Sequence, residues 1–353
     1  MIYPWLEPLW ARALGDRLPH ALLITGPPGL GKRDLGEALA ARLLCDAPQT
    51  DGQACGQCLP CHWRTSGNHP DLHRLSPESG EARPLADEPA GDEQSEAKTT
   101  QGATQIVINQ VRAVQEALSV TAHRGGKRAV IVDPAEAMNS FTANALLKLL
   151  EEPPDGCTFL LISSAPRRLL PTIRSRCQQW HIPRPSADAL RHWQASQGQE
   201  ARTPACLLAL CGGTPLAARR LAAQGGMALF ERFINDLNAD RIDPLRLAAQ
   251  WEAWLKKDKA VLAAGFSLMT LVEWMQRWVS DLVALRLGGR VRYFPEQIER
   301  LAVLSSGASA TTVIGCYNEF INIRRVVNHP LNLRLFLEDM LMRYVRVFKG
   351  VQP

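Results

Sequence analysis

Residues 21–33 read ALLITGPPGLGKR, and this stretch decides the fold. Residues 21–25 form an unbroken apolar run, the mark of a strand buried on both faces. A turn carrying Gly26, Gly29 and Gly31 follows, and residues 32–44 have a helical pattern. Strand, glycine-rich turn and helix in that order predict a phosphate-binding loop. Glycines let backbone N–H groups converge on phosphate oxygens, and the helix N-terminus favours the anion. Lys32 supplies the point charge. The next position normally carries a hydroxyl that holds Mg²⁺, and here it is Arg33.

A second element of such a site is an apolar strand ending in Asp-Glu. Residues 128–133, RAVIVD, supply the strand and Asp133, but Pro134 follows and Glu136 lies two residues further on. A carboxylate that polarises the attacking water needs hydrogen-bond reach to it, which proline lacks. Two parts of the hydrolytic apparatus are therefore missing. The expectation is no intrinsic ATPase activity, with ATP or ADP binding weak or absent at Gly26, Gly29, Gly31, Lys32 and Asp133.

Outward from this core, residues 71–75, 158–164 and 177–182 read as further strands and residues 140–152 as a helix. Strands alternating with helices predict an α/β fold with a parallel sheet covered on both faces. Residues 78–104 hold seven acidic and two basic residues with almost no large apolar ones, and are expected to be a flexible surface insertion. After Pro183 strand signals stop. Residues 186–197, 204–211 and 215–224 read as three short helices, and the chain is helical from about residue 226 on. Leu271, Trp274, Met275, Trp278, Leu282 and Leu285 share one helical face, as do Leu333, Leu337, Leu341, Tyr344 and Phe348. Such stripes predict core packing. The expected division is 1–183 (α/β), 184–225 (small helical domain) and 226–353 (helical domain).

The 353 residues are 46% hydrophobic, enough to build real cores. No apolar run reaches the roughly 18 residues of a membrane span, so no membrane role is expected. The N-terminus lacks a signal-peptide layout, and a cytoplasmic location is expected. The acidic insertion contributes −5 to a net charge of +5, which leaves +10 on the rest and suits a polyanionic partner.

Four of the nine cysteines cluster as Cys45-x9-Cys55-x2-Cys58-x2-Cys61. Four thiolates at this spacing predict a structural Zn²⁺ site, with His62 as an alternative ligand and no open position for catalysis. His69, Asp71 and His73 are expected to form a turn into a strand rather than a second metal site. Ser163 and Ser164 lack a nucleophile elbow. Lys256, Lys257 and Lys259 are expected on a solvated face.

The cysteine cluster after the glycine-loop helix, His69-Pro70-Asp71, Asn144-Ala145-Leu146-Leu147-Lys148-x2-Glu151-Glu152-Pro153-Pro154 and Ser175-Arg176-Cys177 together resemble bacterial clamp-loader subunits of the AAA+ superfamily. The resemblance covers residues 1–225. It implies an AAA+ module with an inserted zinc knot, a helical lid and a helical collar for oligomerisation. Motor subunits of that family (gamma or tau) carry GKT or GKS, a DE pair and a lid arginine in Gly-x-x-Arg. This chain has Gly31-Lys32-Arg33, Asp133-Pro134 and Gly213-Thr214-Pro215-Leu216, and so resembles the non-hydrolysing delta-prime branch of the DNA polymerase III holoenzyme, a nucleotidyltransferase complex. By that resemblance Arg176, with Ser175 and Cys177 as its motif, would be an arginine finger for a neighbouring ATPase. The partners implied are gamma or tau, delta, the sliding clamp through the complex, and primer–template DNA. The competing readings are an active clamp-loader ATPase and a zinc-dependent DNA-binding regulator.

Overall fold

The computed structural model describes residues 2–15, 18–77, 105–120, 126–197, 203–239, 241–263, 265–327, 329 and 332–348. The acidic insertion expected at 78–104 lies outside the described residues. The chain divides into two compact units, Met1–Ala189 and Leu190–Pro353.

The first unit is built on β1 (Ala21–Thr25), β2 (Leu72–Leu75), β3 (Arg128–Val132), β4 (Cys157–Ser163) and β5 (Gln178–His181). All pair in parallel in the order β2-β3-β4-β1-β5. The central strands β1, β3 and β4 are buried at every residue, as their unbroken apolar runs require, whereas edge strand β5 buries only Trp180. Its helices are α1 (Glu7–Gly15), α2 (Lys32–Leu44), α3 (Leu59–Thr65), α4 (Ile108–Ser119), α5 (Ser140–Glu151) and α6 (Pro171–Arg176). Helix α5 starts where the Asn139 side chain accepts from the Thr142 N–H at 2.9 Å. It buries Thr142, Ala143, Leu146, Leu149 and Leu150 on one face, at helical spacing.

The N-terminal segment, whose prolines break the apolar pattern, is nevertheless helical. Pro4 opens a 3-10 turn (Pro4–Leu6) that runs into α1, where a missing N–H costs nothing. Trp5, Leu6 and Trp10 are buried.

The parallel pairing places the ends of β1, β3, β4 and β5 along one edge: Thr25 stands opposite Ser163 and His181, and Val132 opposite Leu161. The glycine-rich turn and Asp133 leave the sheet at this edge.

In the second unit, after α7 (Ala187–Ser196), which spans the division, come α8 (Ala205–Leu210), α9 (Pro215–Ala223), α10 (Gly226–Leu237), α11 (Pro244–Lys257), α12 (Lys259–Ala263), α13 (Leu268–Arg286), α14 (Ile298–Ser306), α15 (Ala310–Val326) and α16 (Leu333–Phe348). Leu207 and Leu210 of α8 share one apolar core with Phe233, Trp251, Trp274, Trp278, Leu341 and Tyr344. The Trp278 indole N–H donates to the Tyr344 hydroxyl at 2.9 Å inside it. Asp281, buried in α13, accepts from the N–H groups of Arg292, Tyr293 and Phe294 and so ties down the loop after its helix. Lys256, Lys257 and Lys259 are exposed. No helix among the described residues is long and apolar enough to cross a membrane.

Candidate functional site

The turn after β1 has the backbone of a phosphate cradle. Gly26, Gly29 and Gly31 all have positive φ, at 151°, 82° and 82°. Gly31 could not be replaced without strain, because a Cβ there would lie 2.8 Å from the Tyr3 ring. That ring stacks on Trp5 at 5.0 Å, and the Trp5 indole donates to the Leu30 carbonyl at 3.0 Å. The N-terminal segment thus lies against the end of the loop, a contact between elements that no local pattern announced.

The side chains of the cradle are turned inward on the protein. Lys32 is buried, and its Nζ donates to the carbonyls of Gly26 and Pro27, both at 2.8 Å. Burial pushes its pKa below the usual lysine range, and the carboxylates of Glu136 and Asp133 act against that shift. Arg33 forms an ion pair with Asp133 from its Nε. Its side chain is 68% exposed while that of Asp133 is 17% exposed, so the arginine reaches over from solvent to a largely covered carboxylate. Mg²⁺ would need a hydroxyl at position 33 and a free carboxylate at 133. Instead a monovalent guanidinium engages that carboxylate, and the donor set does not fit the ion. Glu136 Oε1 accepts from the Ser164 N–H at 3.0 Å, while its buried Oε2 has no hydrogen-bond partner among the described residues. Leu216 is half-buried on α9.

Ser175-Arg176-Cys177 closes α6. Leu169, Ile173 and Cys177 recur every fourth residue and enter the same core as Leu146 and Leu150 of α5. Burial pushes the Cys177 thiol up to about 12, so this cysteine packs and does not react. The Ser175 hydroxyl donates to the Thr172 carbonyl at 2.9 Å. Only Arg176 offers chemistry outward. Its Nη1 donates to the Thr172 carbonyl at 3.2 Å, and its Nη2 pairs with Glu151. The motif lies just before β5, as its position in the sequence suggests, and a short helix carries it.

At the far end of α2 the four cysteines converge. The sulfurs of Cys45, Cys55, Cys58 and Cys61 all lie within 4.8 Å of one another, and this group can hold a metal ion. Cys45 Sγ is 3.5 Å from Cys55 Sγ and 3.8 Å from those of Cys58 and Cys61, and Cys55 and Cys61 are 4.0 Å apart. Gly56, at φ 74°, turns the chain so that the N–H groups of Gln57 and Cys58 reach Cys55 Sγ at 3.4 and 3.3 Å. Those two donors hold the Cys55 thiol down at about 6. Cys45 receives the Cys55 N–H in the same way, at 3.3 Å. The alternative ligand His62 is exposed on α3 and is not part of the group.

The remaining candidates are structural. His69 Nδ1 accepts from the Asp71 N–H at 3.1 Å, closing the turn that leads into β2. Burial lowers the pKa of both His69 and His73. Cys157 and Cys316 are buried thiols raised by desolvation to about 11 and about 12.

A family model described as "DNA polymerase III, delta subunit" matches residues 6–186. A DNA polymerase III subunit delta' of Pseudomonas aeruginosa is 44% identical over 228 residues, 64% of this chain and 62% of that protein. The corresponding subunit of Escherichia coli is 37% identical over 226 residues, 62% of this chain and 60% of the relative. The tau subunit of Escherichia coli is 28% identical over 176 residues, 50% of this chain and 23% of the relative. The matched part therefore spans less than two thirds of each of these relatives.

Proposed function

Because the chain belongs to the DNA polymerase III delta-prime family, we propose that it acts as the non-hydrolysing subunit of a replicative clamp loader. The observation that carries this reading is the Arg33–Asp133 ion pair, which engages the carboxylate that Mg²⁺ would need. Pro134 stands directly after Asp133, where the carboxylate that activates water is expected, and Glu136 lies two residues further on. The glycine turn survives as a structural corner of the sheet. The higher identity to delta-prime than to tau relatives favours this reading over an active ATPase.

In this role Arg176 serves a neighbour. Its guanidinium stands at the surface at the end of α6, 36% exposed, while the helix behind it is anchored in the core by Ile173. Placed against the ATP of an adjacent motor subunit, it stabilises charge spreading over the γ-phosphoryl oxygens. Such fingers accelerate hydrolysis by about 10³–10⁵ in GTPases. The partners are then gamma or tau and delta. The loader as a whole opens the sliding clamp and leaves it around primer–template DNA, which the basic body of this chain suits. Residues 184–225 serve as the lid and 226–353 as the collar.

The cysteine group holds Zn²⁺ in this reading. A Zn–S bond of about 2.3 Å sets tetrahedral sulfurs about 3.8 Å apart; four of the six sulfur–sulfur separations are 3.5–4.0 Å, and all six lie within 4.8 Å. Zinc here ties the α2 end to α3 and supplies no catalytic chemistry, since all four positions are filled by sulfur.

Two measurements test the proposal. The isolated chain should show no ATP turnover above background. In a reconstituted loader, Arg176→Ala should assemble normally on size exclusion yet slow DNA-stimulated ATP hydrolysis. The loss should be partial, because only one ATP site can adjoin this subunit. Normal turnover in a normally assembled complex would reduce Arg176 to a structural residue.

A further inference from the structure

Glu151 closes α5 and belongs to the Asn144–Pro154 motif, yet nothing described so far gives it a task of its own. Its side chain is 47% exposed and its Oε1 is paired with Arg176 Nη2. Helices α5 and α6 pack into one apolar core through Leu146, Leu150 and Ile173, so the backbones that carry these two side chains are set relative to each other. Arg176 is therefore gripped from two sides. Thr172 accepts from Nη1 along its own helix, at 3.2 Å, and Glu151 accepts from Nη2 across the helix pair.

A guanidinium carries five N–H donors in one rigid plane. Two acceptors leave donors over, and the side chain remains 36% exposed to present them. A long side chain otherwise loses much rotamer freedom when it is immobilised. Holding the plane beforehand removes part of that loss from the step in which charge develops.

We infer that Glu151 is the positioning residue for Arg176, holding the guanidinium by one edge so that its free N–H groups meet the phosphoryl oxygens of ATP on the adjacent subunit. This rests on the reading of Arg176 as a finger acting in trans. Glu151 touches no substrate itself. Its contribution lies in the rate of hydrolysis rather than in ATP affinity, and an exposed ion pair adds little to folding stability.

The test uses the reconstituted loader with Glu151→Ala, Glu151→Gln, Arg176→Ala and the double variant Glu151→Ala/Arg176→Ala. Glu151→Ala should lower kcat for DNA-stimulated ATP hydrolysis roughly two- to fivefold, with KM for ATP and the melting temperature unchanged. Glu151→Gln keeps an acceptor oxygen at the same reach and should recover much of the loss. In the Arg176→Ala background, Glu151→Ala should change nothing further. A normal rate for Glu151→Ala beside a slow Arg176→Ala overturns the positioning role and leaves the finger standing. A faster rate for Glu151→Ala also overturns it, since the carboxylate would then restrain the arginine. Slowing that persists without Arg176, or a drop in melting temperature, assigns Glu151 a structural part instead. If Arg176→Ala itself has no effect, the finger reading falls and the positioning role with it.

Discussion

Helix α2 has a loop at each end, and the two loops have kept different things. At its N-terminus, Gly26, Gly29 and Gly31 keep the backbone of a phosphate cradle, while the side chains that would hold a metal are gone or engaged elsewhere. At its C-terminus, Cys45, Cys55, Cys58 and Cys61 keep a complete ligand set on an otherwise irregular stretch of chain. The difference teaches that a loop's shape and its chemistry are held by separate interactions. Gly31 is required by the Tyr3 ring packed against it and by its own positive φ, whether or not phosphate binds. The cysteines have no comparable packing duty, apart from buried Cys61, and their convergence makes sense chiefly through a shared ion.

The sharpest way to break this contrast is at the cysteine end. Metal analysis of freshly purified protein should find one zinc per chain, and Cys58→Ala should abolish it. Because site binding and local folding are one event, several kcal/mol of local stability should go with the ion. Hydrogen exchange across residues 45–65 should rise sharply, while the sheet stays protected. Zinc-free protein with an unchanged exchange pattern would show that the knot folds on packing alone.

A smaller effect is expected at Gly31. The Gly31→Ala variant must accept φ near 82° and displace a ring 2.8 Å away, and should lose about 1–3 kcal/mol. Thermal melting reads this directly. A neutral result would mean that the Tyr3 contact is easily given up, and that the cradle's shape is not held by packing.

The smallest effect on stability, and the most telling for function, belongs to Arg33→Thr. An ion pair whose arginine is 68% exposed is worth at most about 1 kcal/mol after solvent screening. The melting temperature should hardly move. The substitution restores a hydroxyl and frees Asp133, so nucleotide binding should become Mg²⁺-dependent by equilibrium titration. Turnover should remain at background, because Pro134 still takes the place of the carboxylate that would act as general base. Robust hydrolysis by this single variant would show that the second defect had been misread.

Much of the architecture could be read from the order of residues because it depends on short-range patterns. The burial of β1, β3 and β4 follows from unbroken apolar runs, and α2 from the helical pattern after the glycines. The N-terminal helix was hidden because prolines at positions 4 and 8 read as breaks, although a first helical turn tolerates them. Helix α4 begins soon after the acidic insertion and buries only a short apolar face, Val111, Val114 and Leu118.

The sequence by itself determined the four-cysteine group, the glycine cradle, and the absence of a hydroxyl at 33 and of a carboxylate at 134, since residue identity and close spacing decide those. Tertiary structure alone decided where the long polar side chains went. Arg33 finds Asp133 from 100 residues away, Glu136 finds the Ser164 N–H, and Arg176 finds Glu151. Each of these groups has many rotamers and, as part of an unfolded chain, is satisfied by water. Only the packing of strands and helices brings one partner within reach of another, and no local pattern in the chain encodes that choice.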